Sequence, residues 1–131
     1  MTEMAENSNN ADFERDFQWY SIEEMNLEEA LPYHIGQQMS QNDVISLFDL
    51  ICGGKPREDF RVGITYDVDQ RETEHATDFT AVINCYTLKN ANELEKYAHE
   101  KGFDTGGLAG NAHDPRSIKV YIYPKGPDTI E

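Results

Sequence analysis

Three runs of β-forming residues alternate with helical segments, and this alternation limits the fold more than any other feature of the chain. The runs cover residues 60–65, 79–88 and 118–123. Because helices separate them, the strands cannot be joined as simple hairpins and must be connected through those helices. The second run is the richest in β-forming residues and predicts the central strand, whereas alternation in the third predicts a half-exposed strand. The order predicts an α+β fold, with a small three-stranded sheet flanked by helices.

Capping signals place two helices between these strands. Asp67 with Gln70 can cap a helix that carries Arg71 and His75. Residues 90–93, Asn-Ala-Asn-Glu, have the spacing of a capping box and predict the start of a second helix of about three turns. A loop follows this helix and leads to the last strand.

The N-terminal part of the chain is acidic and predicts helices of its own. The stretch Ser21-Ile-Glu-Glu24 has the spacing of a capping box and predicts a short acidic helix to about residue 30. Ser40 or Asn42 begins the next helix, which has a broad apolar face and ends at Gly53. These signals divide the chain into a disordered tail (1–12), an acidic helical extension (13–56), a domain (57–125) and a C-terminal tail (126–131).

Charge is unevenly distributed along the chain. The net charge is −14, from 25 acidic and 11 basic residues, and residues 1–50 contain only one basic side chain, Arg15. Such a chain repels polyanions at long range, whereas DNA-binding proteins usually present a basic surface. The acidity therefore favours a basic protein partner, or simply aids solubility. After residue 50 the acidic and basic residues are more evenly balanced, so this part of the chain still allows a local basic patch.

The cysteines and the hydropathy argue against several classes of protein. Cys52 and Cys85 are flanked by apolar residues and belong to no CxxC pair or Cys/His cluster. This pattern predicts buried free thiols rather than a disulfide framework or a zinc site. No apolar stretch is long enough to span a bilayer, so we expect no membrane partner and a cytoplasmic location as the default.

The candidate catalytic residues lie on the two helices of the domain. Arg71 and His75 are four residues apart on one helix, and Glu95 lies on the next. Arginine stabilises charge that develops on a phosphate, and a carboxylate holds a divalent metal, so this combination favours phosphodiester chemistry. Each of these residues also has a purely structural explanation. Arg71 can pair with Glu72 or Glu74 on an exposed helix, His75 can be a surface or core histidine, and Glu95 can lie on a solvated face.

The order and spacing of these motifs resemble the GIY-YIG endonuclease superfamily. Members often read Tyr-Val-Gly-Ile-Thr, then Asp-Pro-Glu-Arg-Arg, then a helix that ends near Glu-His. This chain has Arg-Val-Gly-Ile-Thr at 61–65, Asp-Val-Asp-Gln-Arg at 67–71 and Glu-His at 74–75. A strand and a helix of the type Ala-x-x-Leu-Glu follow in the family, and here Ala-Asn-Glu-Leu-Glu occupies 91–95. The resemblance covers about residues 58–125, and it depends on motif order because each motif is short.

The resemblance implies a set of roles for particular residues. It implies a three-stranded sheet flanked by helices, with Arg71 contacting the scissile phosphate of DNA. It also implies that Glu95 binds one hard divalent ion, Mg²⁺ or Mn²⁺. Family tyrosines lie near the attacking water, and Tyr121 or Tyr123 would take that part here. His75 completes the set of candidate catalytic residues.

Two departures from the family pattern leave the chemistry open. Arg61 replaces the tyrosine of the second signature strand, and no Gly-Ile-Tyr-like strand lies just before residue 60. One explanation is a permutation, in which residues 120–123 occupy the missing position in the sheet and bring Tyr121 or Tyr123 to the site. The other is a degenerate domain that keeps the fold and has lost the chemistry.

Two functions from different classes follow from these observations. The first is metal-dependent cleavage of a DNA phosphodiester bond. The second is a non-catalytic acidic interaction protein or inhibitor, of phage or mobile-element type, that binds a basic, nucleic-acid-binding protein. Local charge discriminates between them, because a converged basic face supports DNA and scattered cations support a protein partner. The cations concerned are Arg57, Arg61, Arg71, Lys119 and Lys125.

Overall fold

The computed structural model describes residues 19–26, 32–75 and 78–126. In these ranges the chain forms five β-strands, three α-helices and a short 3-10 helix (Arg57–Asp59). The strands and α-helices, in chain order, are β1 (Tyr20–Met25), β2 (Gln38–Met39), α1 (Gln41–Cys52), β3 (Phe60–Thr65), α2 (Val68–His75), β4 (Ala81–Asn84), α3 (Leu88–Glu100) and β5 (Lys119–Pro124). The predicted tail over 1–12 and most of the tail over 126–131 lie outside the described residues.

All five strands join one antiparallel sheet in the order β2-β1-β4-β5-β3. The α+β class is confirmed, but the predicted three-stranded sheet is wrong in its number of strands. β3, β4 and β5 are the strands that the sequence indicated, and β1 and β2 extend the sheet beyond β4. β4 is central, as predicted, because β1 and β5 lie on its two sides.

The helix predicted from Ser21 is wrong, because this part of the chain forms β1. Tyr20, Ser21 and Ile22 are all buried, and Tyr20 and Ile22 belong to the main core. This burial, together with pairing along β4, outweighs the local capping-box signal. Within the described part of residues 13–56, β1, β2 and α1 all contribute to the main core. Residues 27–30 of the predicted helix lie outside the described residues.

Local capping signals explain where the other helices begin and end. α1 begins after Ser40 in a capping box and ends at Gly53, which has a left-handed φ of 58°. α2 begins directly after Asp67, as predicted. α3 begins after Thr87 rather than at Asn90, because the Thr87 hydroxyl accepts the Asn90 N–H. The sequence therefore locates this helix correctly but places its first residue too late.

Two apolar layers cover the sheet, one on each face. α1 and α3 pack on one face and form the larger core, to which Val62, Val120 and Ile122 contribute from the sheet. The other face has a smaller aromatic layer next to α2. This aromatic layer contains Val68, Phe79, Val82, Tyr121 and Tyr123.

Both cysteines are buried in the larger core. Cys52 and Cys85 form no disulfide, so the prediction of free thiols is confirmed. Burial raises the pKa of the Cys52 thiol to about 11 and that of the Cys85 thiol further. Both thiols therefore stay protonated at neutral pH and serve as small core side chains.

β5 is buried on both faces, so the prediction of a half-exposed strand is wrong. It lies between β4 and β3 and pairs antiparallel with both. Val120 and Ile122 enter the larger core, whereas Tyr121 and Tyr123 enter the aromatic layer. The alternation in this strand therefore directs its side chains into two buried layers, rather than into one buried face and one solvent-exposed face.

Gly63 gives Tyr121 its place at the edge of the aromatic layer. The two residues are opposite each other in the pairing of β3 with β5. An ideal Cβ at residue 63 would lie 2.5 Å from the Tyr121 Cζ and closer still to its hydroxyl oxygen. The ring of Tyr121 thus lies over Gly63, in space that the Cβ atom of any other residue type would occupy.

We predict that Gly63→Ala destabilises the fold by about 1–3 kcal/mol, because the added methyl group forces Tyr121 to move. Thermal unfolding should show a melting temperature lower by roughly 3–10 °C. Gly126→Ala is the matched control, since nothing lies within 4 Å of a Cβ at that position. Equal melting temperatures for the two variants would contradict this account of the packing.

Candidate functional site

A cavity of about 530 Å³ lies at the edge of the sheet beside β3. β3, β5, α2, α3 and the loop over residues 105–113 all contribute to its walls. The polar residues that line it include Arg61, Arg71, His75, Glu95, Asn111 and Tyr121. Four of the five predicted catalytic residues therefore meet in one cavity. The fifth, Tyr123, contacts His75 from the aromatic layer.

Hydrogen bonds from α3 hold the loop that forms one wall of the cavity. The Asn92 side chain donates to the Ala112 carbonyl oxygen and accepts the Ala112 N–H, both at 2.9 Å. Glu95 Oε1 accepts the Gly110 N–H, also at 2.9 Å. At the start of the loop, the backbone of Asp104 pairs with the outer edge of β3. The loop is therefore fixed to both the sheet and the helix.

Glu95 is the buried carboxylate of the cavity. Its exposed fraction is only 8%, because it shares the inward face of α3 with Ala91, Leu94 and Ala98. This burial raises its pKa, and the Gly110 N–H and the nearby His99 lower it only in part. The alternative that Glu95 lies on a solvated helix face is thus excluded. A buried carboxylate is costly unless a cation or hydrogen bonds compensate it.

Glu95 is the carboxylate in the described lining of the cavity that would hold a magnesium ion, with substrate phosphate and water as the other ligands. Mg²⁺ is commonly held by one or two carboxylates, with water and substrate phosphate as its other ligands. Within residues 19–26, 32–75 and 78–126, no group of three or more His, Cys, Asp or Glu side chains could enclose a metal. Glu95 would therefore hold the ion alone among the described carboxylates, and the ion would bind weakly before the phosphate arrives.

His75 is buried between two tyrosines. Its Nε2 lies 3.2 Å from the Tyr121 hydroxyl, and its Nδ1 lies 3.0 Å from the Tyr123 hydroxyl. The exposed fraction of His75 is 6%, which excludes a surface histidine. A neutral imidazole donates through one ring nitrogen and accepts through the other, so the three side chains can form a continuous chain of hydrogen bonds.

Tyr121 lines the cavity together with His75. Burial raises the pKa of its phenol to about 12, and the positive charges of Arg71 and Arg61 oppose this shift only in part. Phe79 stacks on the ring at a centroid distance of 4.1 Å. At neutral pH the phenol is therefore protonated and held in one orientation, so it acts through hydrogen bonds and not as a standing phenolate.

Arg71 is the most exposed of the predicted catalytic residues. Its side chain is 44% exposed, and its Nη1 lies 3.4 Å from Glu74 Oε1. The predicted pairing along the helix is therefore present. An ion pair this exposed contributes little free energy, so the guanidinium can exchange Glu74 for a phosphate at small cost.

Arg61, which stands where the family has a tyrosine, also lines the cavity. Its Nη2 lies 3.3 Å from Asp104 Oδ2, and Lys125 Nζ lies 2.7 Å from the same oxygen. Burial alone would raise the pKa of Asp104, but the Lys125 and Gly106 hydrogen bonds and the Arg61 charge outweigh it and lower the pKa. Asp104 thus stays ionised and offsets part of the positive charge at this end of the cavity.

The basic face that would support DNA binding forms only in part. Arg61 and Arg71 line the same cavity. Arg57 instead pairs with a carboxylate of α1, and Lys119 pairs with a carboxylate of β1, each at 2.7 Å. The five cations named from the sequence therefore do not all converge on the cavity, which Arg61 and Arg71 line.

The loop over residues 105–113 contributes several lining residues that the sequence did not single out. They include Thr105, Gly106, Leu108 and His113. Asn111 lines the cavity as well. The glycine-rich composition of this loop was the available signal. Gly106, Gly107 and Gly110 all have positive φ, so the backbone follows a path that other residues rarely adopt.

Comparison of the chain with protein-family models, with curated proteins and with solved structures found no match. No helix in the described part of the chain is both long and apolar enough to cross a bilayer. The resemblance to the GIY-YIG superfamily therefore stays a prediction that depends on the motifs and the geometry given above.

We predict that Mg²⁺ stabilises the protein through Glu95. At ten times the dissociation constant, the ion should add about 1.4 kcal/mol and raise the melting temperature by a few degrees. Glu95→Gln should abolish this response. Glu100→Gln, an exposed change on the same helix, is the matched control and should keep it. An equal response of all three proteins would show that the ion binds elsewhere.

Without metal, Glu95→Gln should stabilise the fold at neutral pH. Folding raises the pKa of this carboxyl group, so the folded state favours the protonated form and loses stability as the pH rises through the folded pKa. Glutamine mimics the protonated form and removes this loss. The gain in stability should therefore disappear at a pH below the pKa of this group in the unfolded chain. A gain in stability that is independent of pH would contradict a raised pKa of Glu95 in the folded protein.

Proposed function

We propose that the protein cleaves a phosphodiester bond of DNA with a divalent metal ion. The observation that carries the proposal is the meeting of Arg71, His75, Glu95 and Tyr121 in one cavity, although they come from two helices and the last strand. The position of β5 directly beside β3 also favours a permuted GIY-YIG-like arrangement over a degenerate one. In this arrangement, Tyr121 supplies the phenol that the missing strand would otherwise provide.

Arg71 and Glu95 would supply the electrostatic part of the reaction. Mg²⁺ or Mn²⁺ at Glu95 would neutralise charge on the scissile phosphate. Arg71, which is held only weakly by Glu74, would bind a non-bridging phosphate oxygen and stabilise the charge of the transition state. The low exposure of Glu95 strengthens these interactions, because water competes less with them.

Tyr121 and His75 would handle the proton of the attacking water. The protonated phenol can accept a hydrogen bond from water while it donates its own proton toward His75 Nε2. As the water oxygen forms its bond to phosphorus, Tyr121 takes the water proton and His75 receives the phenol proton, so no phenolate accumulates. The phosphorus–oxygen bond on the opposite side breaks, and the leaving oxygen takes a proton from solvent. Tyr123 holds the ring at Nδ1 and would keep Nε2 directed at Tyr121.

The charge of the protein makes DNA binding dependent on conditions. A net charge of −14 repels DNA, and the cavity offers only two arginines against this repulsion. Binding would therefore need the divalent ion, and its affinity should depend only weakly on salt concentration, since few phosphate contacts are made.

A second function, an acidic protein that binds a basic partner, is favoured by one observation. Away from the cavity, the cations named from the sequence pair with carboxylates instead of forming a basic surface. The two functions differ in what they require of the cavity. Cleavage needs the four convergent side chains, whereas acidic recognition of a protein does not.

We predict that the wild type nicks supercoiled plasmid DNA with Mg²⁺ or Mn²⁺ at low salt. Arg71→Ala and Glu95→Gln should each lower the rate at least about 100-fold, because each removes a group that stabilises charge in the transition state. Arg57→Ala is the control for loss of an arginine, and Glu100→Gln is the control for loss of a carboxylate. Both controls should retain cleavage.

If clean wild type cleaves no DNA with either ion, the proposed chemistry is wrong and the acidic-partner function is favoured. If Arg57→Ala lowers cleavage as much as Arg71→Ala does, the loss reflects general charge and not the cavity. Circular dichroism of every variant verifies that the fold is intact.

The two tyrosines should have separable effects. Tyr121→Phe removes the hydroxyl that receives the water proton, and we expect the rate to fall at least about 100-fold. Tyr123→Phe leaves that hydroxyl in place and should cost about 1–3 kcal/mol of stability, with a smaller loss of rate. Single-turnover rates and thermal melts measure both effects, and the reverse order of rate losses would overturn the assignment of Tyr121.

A further inference from the structure

A second cavity, of about 410 Å³, adjoins the candidate site. The two cavities share Ile64, Arg71, Ala112 and His113, so together they form one groove that passes the end of β3. Arg71 lies where they meet. A DNA strand whose phosphate is bound at Arg71 would therefore place a neighbouring nucleotide over the second cavity.

Tyr66 stands in the wall of this second cavity with much of its ring in solvent. It follows β3 directly and is 47% exposed. The guanidinium carbon of Arg116 lies 4.2 Å from its ring centroid, so one face of the ring is covered by a cation. An exposed aromatic ring beside a groove needs explanation, because tyrosine usually buries its ring in a fold or an interface.

Asp114 fixes the arginine that supports this ring. Arg116 donates from Nε to Asp114 Oδ1 at 3.1 Å and from Nη2 to Oδ2 at 2.7 Å. The backbone N–H of Arg116 also donates to Asp114 Oδ1 at 2.9 Å. These hydrogen bonds lower the pKa of Asp114 to about 2, so the pair remains charged at any ordinary pH. Arg116 therefore lies against the ring of Tyr66 before any ligand binds.

Leu108 stands in the wall of the first cavity and is exposed as well. Its side chain is 82% exposed, and it lies in the glycine-rich loop between Gly107 and Gly110. Aliphatic side chains at the edge of a nucleic-acid site can separate stacked bases. The groove thus has an apolar side chain in its first cavity, an aromatic ring in its second and the phosphate-binding Arg71 where the two cavities join.

We propose that this groove binds DNA with unpaired nucleotides next to the scissile phosphate, and that one unpaired base stacks on Tyr66. The proposal depends on the proposed function, because Arg71 sets the position of the phosphate. Duplex DNA keeps the faces of its bases covered, so a stacking surface gains contact only with a base that is already unpaired. Stacking also does not require a basic surface, which suits an acidic protein with few cations in its groove.

Binding is measured by fluorescence anisotropy with labelled DNA, in Ca²⁺ instead of Mg²⁺ and at low salt. The probes are a single strand, the matching duplex and the same duplex with a single-stranded overhang. The wild type should bind the single strand and the overhang at least about tenfold more tightly than the duplex. Tyr66→Ala should weaken binding to the two unpaired probes roughly 5- to 150-fold. It should leave duplex binding unchanged.

Two variants make the test specific. Tyr66→Phe keeps the ring and should retain the binding of the wild type. Tyr86→Ala removes another tyrosine of nearly equal exposure, 48%, that lies outside both cavities, and it should have no effect. A Tyr86→Ala loss equal to that of Tyr66→Ala would overturn the proposal, and so would equal affinity of the wild type for duplex and single strand.

The outcome separates this proposal from the proposed function. Binding that prefers unpaired DNA and depends on Tyr66, without cleavage in Mg²⁺, supports the proposal that the groove binds unpaired nucleotides and contradicts the proposed cleavage. Cleavage of duplex and unpaired substrates at equal rates, with no effect of Tyr66→Ala, supports the chemistry and overturns the groove proposal. The absence of any DNA binding would overturn both.

Discussion

The antiparallel pairing of β5 with both β3 and β4 is the constraint on which the rest of the structure depends. It places the last strand inside the sheet, where Val120 and Ile122 complete one core and Tyr121 completes the aromatic layer on the opposite face. Because Gly63 lies opposite Tyr121, the ring can cross β3 and reach the cavity beside Arg71. Without this pairing the tyrosine, the histidine and the arginine would not share a site.

The electrostatics of the cavity follow from how deeply each group is buried. Glu95 pairs with a backbone N–H while its burial raises its pKa, so a cation near it would relieve an unfavourable charge. Arg71 is solvated and only loosely paired, and Tyr121 is protonated and fixed by its neighbours. This arrangement has one buried negative group, one exchangeable positive group and one chain of hydrogen bonds, and the proposed phosphate-ester hydrolysis would use all three.

Much of the fold could be predicted from the sequence, but its N-terminal part could not. The strand at 60–65, the helix that carries Arg71 and the central position of β4 follow from local patterns, because propensity and capping agree there with the tertiary structure. The capping-box spacing at Ser21 predicts a helix because it is a local signal, whereas the pairing of β1 with β4 joins residues that are far apart in the chain. The burial of Glu95 was also available from the sequence, since it recurs with Ala91, Leu94 and Ala98 on one helix face. The groove at Tyr66 depends on the loop after α3, and no periodic pattern could place that loop.

The most direct test of the central claim is where a divalent ion binds. Manganese broadens the amide resonances nearest to it, so substoichiometric Mn²⁺ can be followed in nitrogen-15-labelled protein. The account predicts that Gly110 and Ala112, in the loop held by α3, broaden first, and that Glu95→Gln abolishes this effect. Broadening spread over the exposed acidic residues, and unchanged by Glu95→Gln, would contradict a metal-dependent site in this cavity.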